Sequence, residues 1–372
     1  MEDTPEQDDS TGSPWEIANE ILRDGLLSAY YKDVLTDSTP SNPRFLCHYT
    51  SFSGFEKIIN TKSILLTPLS YTNDYSEFRS GYHKILYIFN LYLNNLQIQR
   101  SPNMDSFLRE FMAEVTSNRD TLYFRQFISC WSSCDPADNW SNRQGNFELQ
   151  SPDRLSMWRG YAADGHGVCL IVDLKDIKLN EMAPSNIVLY PVIYESDNEF
   201  QQRAAKTFDK FLNLFNETIL NDQNHRNEIK DAMNLILQTL AITHKHPSYS
   251  EEREWRLVCD YEVLHNELSN PTLNEKNIPL ENNIDYMLDD NPRAVIRLQM
   301  GEKENFDPIN IQLSNILSYI YIGPCSWELQ HQRMLAVKNH LRKNHFRIRD
   351  DENSEGPGVH VRYSEIPYRG RG

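Results

Sequence analysis

Gly167-Val168-Cys169-Leu170-Ile171-Val172 sets five apolar side chains behind a glycine, with no polar position alternating among them. A strand of that composition has apolar residues on both faces and must be covered on both. It predicts the central strand of a core sheet. Working outward, residues 186–194 read as a partner strand nearby. On the N-terminal side, Ser156-Met157-Trp158-Arg159-Gly160-Tyr161 reads as a short helix ending in a glycine-bearing turn that feeds the strand.

Further strands are expected at 45–50, 63–67, 124–131, 252–261, 294–298 and 317–322, with an extended C-terminal stretch near 359–363. Helical spacing covers 15–31, a segment capped by Ser53 with Phe55, Ile58 and Ile59 inward, and residues 73–95, 104–116 and 327–344. From 197 to 243 the chain is helical in two segments divided at Asn221-Asp222-Gln223-Asn224, until His246-Pro247 breaks the pattern. This segment reads as a helical insertion between strands. The expected organisation is a disordered acidic lead over 1–14, one α+β domain over 15–350, and an extended tail over 351–372.

The chain has 372 residues, 39% hydrophobic and 24% charged, which is ample for a packed core. Its formal net charge of −16 opposes a general nucleic-acid surface, which needs clustered Lys and Arg. No apolar run reaches the roughly 20 residues of a membrane span, and no export signal opens the chain, so a soluble, cytoplasmic protein without membrane partners is expected. Six cysteines are too sparse for a disulfide scaffold and read as reduced and mostly structural. Cys130 and Cys134 have no second ligand pair at zinc spacing, so no metal ligands are assigned.

Glu252-Arg253-Glu254-Trp255-Arg256-Leu257-Val258 is the most chemically loaded segment. If it is a strand throughout, alternation places Glu252, Glu254 and Arg256 on one face and Trp255 and Leu257 on the other. Two carboxylates with a guanidinium suit a cleft that stabilises a cationic, sugar-like transition state. The same pattern also suits a solvated edge strand with cross-paired charges.

Other segments supply candidate contacts. His48 and Thr50 share a face at the end of the first strand and can meet ribose hydroxyls, although a single His near apolar residues also serves structure. Ser129 either touches a ligand or packs. Arg159 can bind pyrophosphate, while Trp158 and Tyr161 stack a ring or join the core. Asn73-Asp74-Tyr75-Ser76-Glu77 is compatible with acidic ligands and also with a capping box. No phosphate loop, dinucleotide glycine fingerprint or Ser-His-Asp spacing is visible.

In order, His48-Tyr49-Thr50-Ser51, Asn73-Asp74-x-x-Glu77, Phe127-Ile128-Ser129-Cys130-Trp131-Ser132, Met157-Trp158-x-x-Tyr161 with Gly165-x-Gly167-Val168, and Glu252-x-Glu254-Trp255-Arg256 resemble a widespread bacterial family known as a domain of unknown function. The resemblance spans about residues 45–323. That family in turn resembles a divergent branch of the ADP-ribosyltransferases. The resemblance implies a split antiparallel sheet with flanking helices, and NAD as substrate. His48 with Thr50 would hold ribose, and Glu254 would be catalytic. Glu252 would orient or deprotonate the acceptor, while Arg159 and Arg256 would contact pyrophosphate. Tyr71, Tyr75 and Tyr161 are all candidates for the tyrosine that stacks on nicotinamide. ADP-ribose would pass to an unknown macromolecular acceptor, protein or nucleic acid, in a toxin or antiviral defence setting, or to water. Two rival readings are a metal-dependent phosphodiesterase using Asp74, Glu77, Glu252 and Glu254, and a non-catalytic nucleotide-binding module.

Overall fold

The structure is a computed structural model that describes residues 13–31, 43–72, 75–95, 99–117, 126–134, 151–175, 187–215, 217–260, 284–287, 293–299, 312–349 and 358–367. Most of the acidic lead, Asn73 and Asp74 fall outside these, as do the side chains of Tyr75, Ser76 and Glu77. The described residues form an α+β protein whose large sheet is mostly antiparallel, and contacts divide it into two compact units.

The first unit is mainly helical. It holds α1 (Pro14–Tyr30), α3 (Tyr75–Leu93), α4 (Pro102–Ser117), α6 (Asp197–Leu212), α7 (Glu217–Asn221) and α8 (Gln223–Thr243). Ser13 and Glu16 close a capping box on α1, and Ser196 and Glu199 close one on α6, each satisfying backbone N–H groups that lack helical partners. The expected insertion is thus packed with α1 and α3, elements far from it in sequence. Lys230 on α8 is nearly buried and is held by Glu110 at 2.8 Å and Glu114 at 2.9 Å from α4. A two-residue parallel pairing joins β6 (Ile193–Tyr194) to β7 (His244–Lys245).

The second unit carries α2 (Phe52–Thr61), α5 (Leu155–Tyr161), α9 (Leu313–Ile316), α10 (Trp327–Lys343) and the large sheet. One path through the sheet runs β12 (Ile348–Arg349), β13 (Val359–Tyr363), β11 (Leu317–Ile322), β4 (Val168–Asp173), β1 (Phe45–Thr50), β3 (Gln126–Ser133), β2 (Ser63–Pro68), β10 (Arg293–Gln299) and β9 (Ile284–Met287). β8 (Glu254–Asp260) pairs with β3 and with β5 (Ile187–Pro191). β13 runs parallel to both β11 and β12, whereas β1, β3, β4, β8 and β10 pair antiparallel.

β4 is central as its composition predicts, with Val168 to Val172 all buried. Its partners are β1 and β11, however, and β5, expected beside it, pairs with β8. An apolar strand accepts any apolar neighbour, so composition does not choose among them. The helix cap of α2 is Ser51, whose hydroxyl accepts from the Gly54 N–H at 3.1 Å, two residues before the Ser53 expected. The C-terminal stretch read as extended is β13, inside the sheet between β11 and β12.

The sheet divides at β3. β8 runs along one edge of that strand, pairing from Gln126 to Ser132. The other edge is shared: β2 pairs at Phe127 and Ile128, and β1 pairs at Ser132 and Ser133. Between those two pairings, Ser129 to Trp131 face a notch where β1 and β2 part.

Candidate functional site

Opposed residues in an antiparallel pair project to the same face. Ser132 opposes Glu254 and Cys130 opposes Arg256, so these four lie on one face of the β3–β8 ribbon. Trp131 opposes Trp255 and Ser129 opposes Leu257 on the other. Alternation along β8 therefore holds from Glu254 onward.

Within the strand, Arg256 grips Glu254 in a bidentate pair, Nε to Oε1 at 2.7 Å and Nη2 to Oε2 at 2.9 Å. Both residues are buried, at 1% and 4% exposure. A charge so far from water persists only when paired in this way. Arg256, expected to contact pyrophosphate, has two of its guanidinium nitrogens on Glu254.

Glu252 leaves the strand. It closes a 3-10 turn over Pro247–Glu252, and Arg253 takes a left-handed backbone with φ of 46°. That conformation interrupts period-2 alternation, so Glu252 does not reach the cleft by the strand register expected. Tertiary contacts hold it. Ser132 donates its hydroxyl to the Glu252 carbonyl at 2.6 Å, Ser133 N–H donates to the Arg253 carbonyl at 2.9 Å, and the Tyr161 phenol donates to Glu252 Oε1 at 2.9 Å.

Tyr161 ends α5, and Met157 and Trp158 of the same helix are buried against Cys47, Tyr49, Cys169 and Ile171. Tyr161 itself is 38% exposed. Arg159 is exposed on the same helix. The turn after α5 carries three successive positive-φ residues, Ala163, Asp164 and Gly165, and returns the chain to β4 at Gly167. A Cβ at Gly167 would run into the Thr50 carbonyl oxygen, so glycine there is a requirement of close backbone approach.

His48 lies elsewhere. Cys47 opposes Ser132, which puts Cys47 on the Glu254 face and His48 with Thr50 on the reverse face. The imidazole stands 5.0 Å from the Trp131 ring, and its Nδ1 lies 3.2 Å from the Cys130 carbonyl. A carbonyl only accepts, so Nδ1 carries the hydrogen and Nε2 is the acceptor of the neutral ring. Burial holds the imidazole below its ordinary pKa, opposed by the Cys130 carbonyl. His48 thus bridges β1 to β3 where the strands part. Ser129 is committed too, accepting the Trp131 indole N–H at 3.1 Å.

Tyr71 is 43% exposed at the end of a 3-10 turn in the helical unit, Leu69–Tyr71. Tyr75, Asp74 and Glu77 lie, wholly or in their side chains, outside the described residues. All six cysteines are free thiols. Cys47, Cys134 and Cys169, far apart in the chain, gather in one buried cluster. Among the described residues, no three His, Cys, Asp or Glu side chains converge as metal ligands, and no helix is long and apolar enough to cross a membrane.

The segment that carries both ends of the Tyr161–Glu252 bond is also the one with a known relative. Residues 157–257 match the family described as Protein of unknown function (DUF2971). The resemblance to such a family is therefore borne out over that segment, from Met157 to Leu257, a shorter stretch than the 45–323 expected. No curated protein and no solved structure matches the chain.

Proposed function

We propose that the protein cleaves the nicotinamide–ribose bond of NAD and passes ADP-ribose to a macromolecular acceptor, with Glu252 as the carboxylate that meets the reacting ribose. The observation that carries this reading is the Tyr161 hydroxyl on Glu252 Oε1 at 2.9 Å, at a position where the tyrosine ring remains partly exposed. A carboxylate beside an aromatic face is what glycosyl transfer from NAD needs: a surface to stack nicotinamide, and a negative charge near the anomeric carbon.

As the C–N bond breaks, nicotinamide leaves as a neutral ring with the bonding pair, and positive charge develops on the ribose. Glu252 stabilises that charge, and the acceptor nucleophile then bonds to the anomeric carbon and loses its proton to the carboxylate or to water. Tyr161 holds the carboxylate in one orientation. Arg159, exposed on the same helix, supplies a guanidinium for the pyrophosphate. Glu254 and Arg256 act from beneath as a fixed ionic pair that shapes the strand. His48 serves the opposite face as the pin across the notch.

The test is release of nicotinamide from NAD, and incorporation of labelled ADP-ribose into a lysate, by wild type and Glu252→Gln. The variant should lose turnover by about 100-fold or more, as removal of one transition-state group does. Turnover equal to wild type would sink the assignment of Glu252. A folded wild-type protein inert toward NAD with protein, nucleic acid and water as acceptors would sink the reading altogether.

A further inference from the structure

Helix α5 has only seven residues, and its N-cap, Arg154, makes no side-chain cap hydrogen bond. A helix that short does not hold itself together in water. Its placement must come from contacts outside it, and one residue gathers several of them. Asp153 Oδ1 accepts the Trp158 indole N–H at 2.7 Å and the Ser364 hydroxyl at 2.6 Å. Its Oδ2 accepts the backbone N–H of Glu365 at 2.5 Å. The Trp158 ring is fully buried and meets Tyr49 edge-on at 5.3 Å.

The other end of this linkage is equally fixed. Ser364 N–H donates to the Ile322 carbonyl at 2.8 Å, continuing the alignment of β13 on β11, and Ile366 N–H donates back to the Ser364 hydroxyl at 3.2 Å. The C-terminal strand is thereby tied through one carboxylate to α5, three residues before Tyr161 reaches Glu252.

We infer that Asp153, Ser364 and the Glu365 backbone form a latch through which the C-terminal strand positions α5, so that Tyr161 meets Glu252. Asp153 is a positioning residue: it touches Trp158, not the carboxylate that does the chemistry. The inference rests on the role proposed above for Tyr161 and Glu252. The family match covers Trp158, Tyr161 and Glu252, but neither Asp153 nor residues 364–365. The latch therefore acts on the matched segment from outside it.

The experiment uses the full chain with Asp153→Asn, Ser364→Ala and, as the conservative control, Ser364→Thr. The chain has six tryptophans, and Trp158→Phe assigns the Trp158 indole N–H resonance in the 15N-labelled protein. Without NAD, Asp153→Asn and Ser364→Ala should move that resonance upfield and speed amide exchange over 155–161, while Ser364→Thr leaves both near wild type. With NAD, the first two should lower kcat about 10-fold or more with KM little changed, as loss of alignment does. An unmoved indole resonance and unchanged exchange in both variants would overturn the latch, whatever the turnover. A moved resonance with unchanged kcat would overturn the positioning role. If wild type does not turn over NAD, the proposed function fails, and the indole and exchange readouts still decide whether the latch exists. Should Asp153→Asn not fold, Ser364→Ala, which keeps the carboxylate and two of its donors, carries the test alone.

Discussion

Arg256 holds Glu254, two residues away on the same strand face, through both carboxylate oxygens and almost entirely out of water. The pair has a direct consequence for how mutations here should be interpreted. Glu254→Gln removes the carboxylate charge that meets the buried guanidinium through both oxygens, and breaking a buried pair from one side costs about 3–5 kcal/mol. The expected outcome is a large fall in the urea midpoint with little change in slope. Replacing both residues together, as Glu254→Leu with Arg256→Met, should recover most of that loss, because neither charge of the pair then remains buried. If Glu254→Gln unfolds at the wild-type midpoint, the pair does not contribute as described. Lost activity in Glu254→Gln alone is therefore no measure of chemistry.

The Tyr161–Glu252 bond makes the opposite prediction. Both groups are near the surface, so Tyr161→Phe should change stability by less than about 1 kcal/mol. Nicotinamide release should nevertheless fall about 10-fold, since the carboxylate loses the donor that orients it. Parallel unfolding curves and NAD assays on the same preparation check both halves.

His48 predicts a pH dependence. Its folded-state pKa lies below the ordinary 6.5 because burial disfavours the imidazolium. A depressed folded pKa means that the unfolded chain binds the proton more readily. The contribution to stability is complete above about pH 6.5 and is lost as pH falls from there through the depressed folded value. His48→Asn keeps an N–H for the Cys130 carbonyl and removes the titration. Unfolding free energies of the two proteins should converge toward acid, and a constant difference from pH 7.5 to pH 5 would contradict this account.

Gly167→Ala tests the close approach of the chain at the paired ends of β1 and β4. The added methyl would meet the Thr50 and Ala162 carbonyl oxygens, both backbone atoms that cannot swing aside. Gly323, beside the Gly165 and Gly167 carbonyls, makes the same demand. Each substitution should cost about 1–3 kcal/mol, as overpacking does, with Gly160→Ala, where nothing lies within 4 Å, as the neutral control. Thermal unfolding of the three variants distinguishes these outcomes.

Much of the secondary structure was legible. Apolar runs and helical spacing marked β1, β4, β11, α1, α6 and α10 within a few residues, because those signals are local. Alternation also paired Glu254 with Arg256 correctly, since a two-residue offset on one strand needs no knowledge of any partner. It did not anticipate that Glu252 precedes the strand, where Arg253 takes a left-handed backbone and the Glu252 and Arg253 carbonyls accept from Ser132 and Ser133, more than 100 residues earlier.

What the sequence by itself determined is most of the longer elements and the alternation of side chains along them, while the short strands β7, β9 and β12 left no local signal. What only the tertiary structure decided is which faces coincide. Register carries from Cys47 to Ser132 to Glu254 across three strands distant in the chain, and it sets His48 and Glu254 on opposite sides of the sheet. A shift of one residue in either pairing would have reversed that outcome without altering any local pattern. The same holds for the C-terminal strand, whose place between β11 and β12 depends on partners its own five residues do not name.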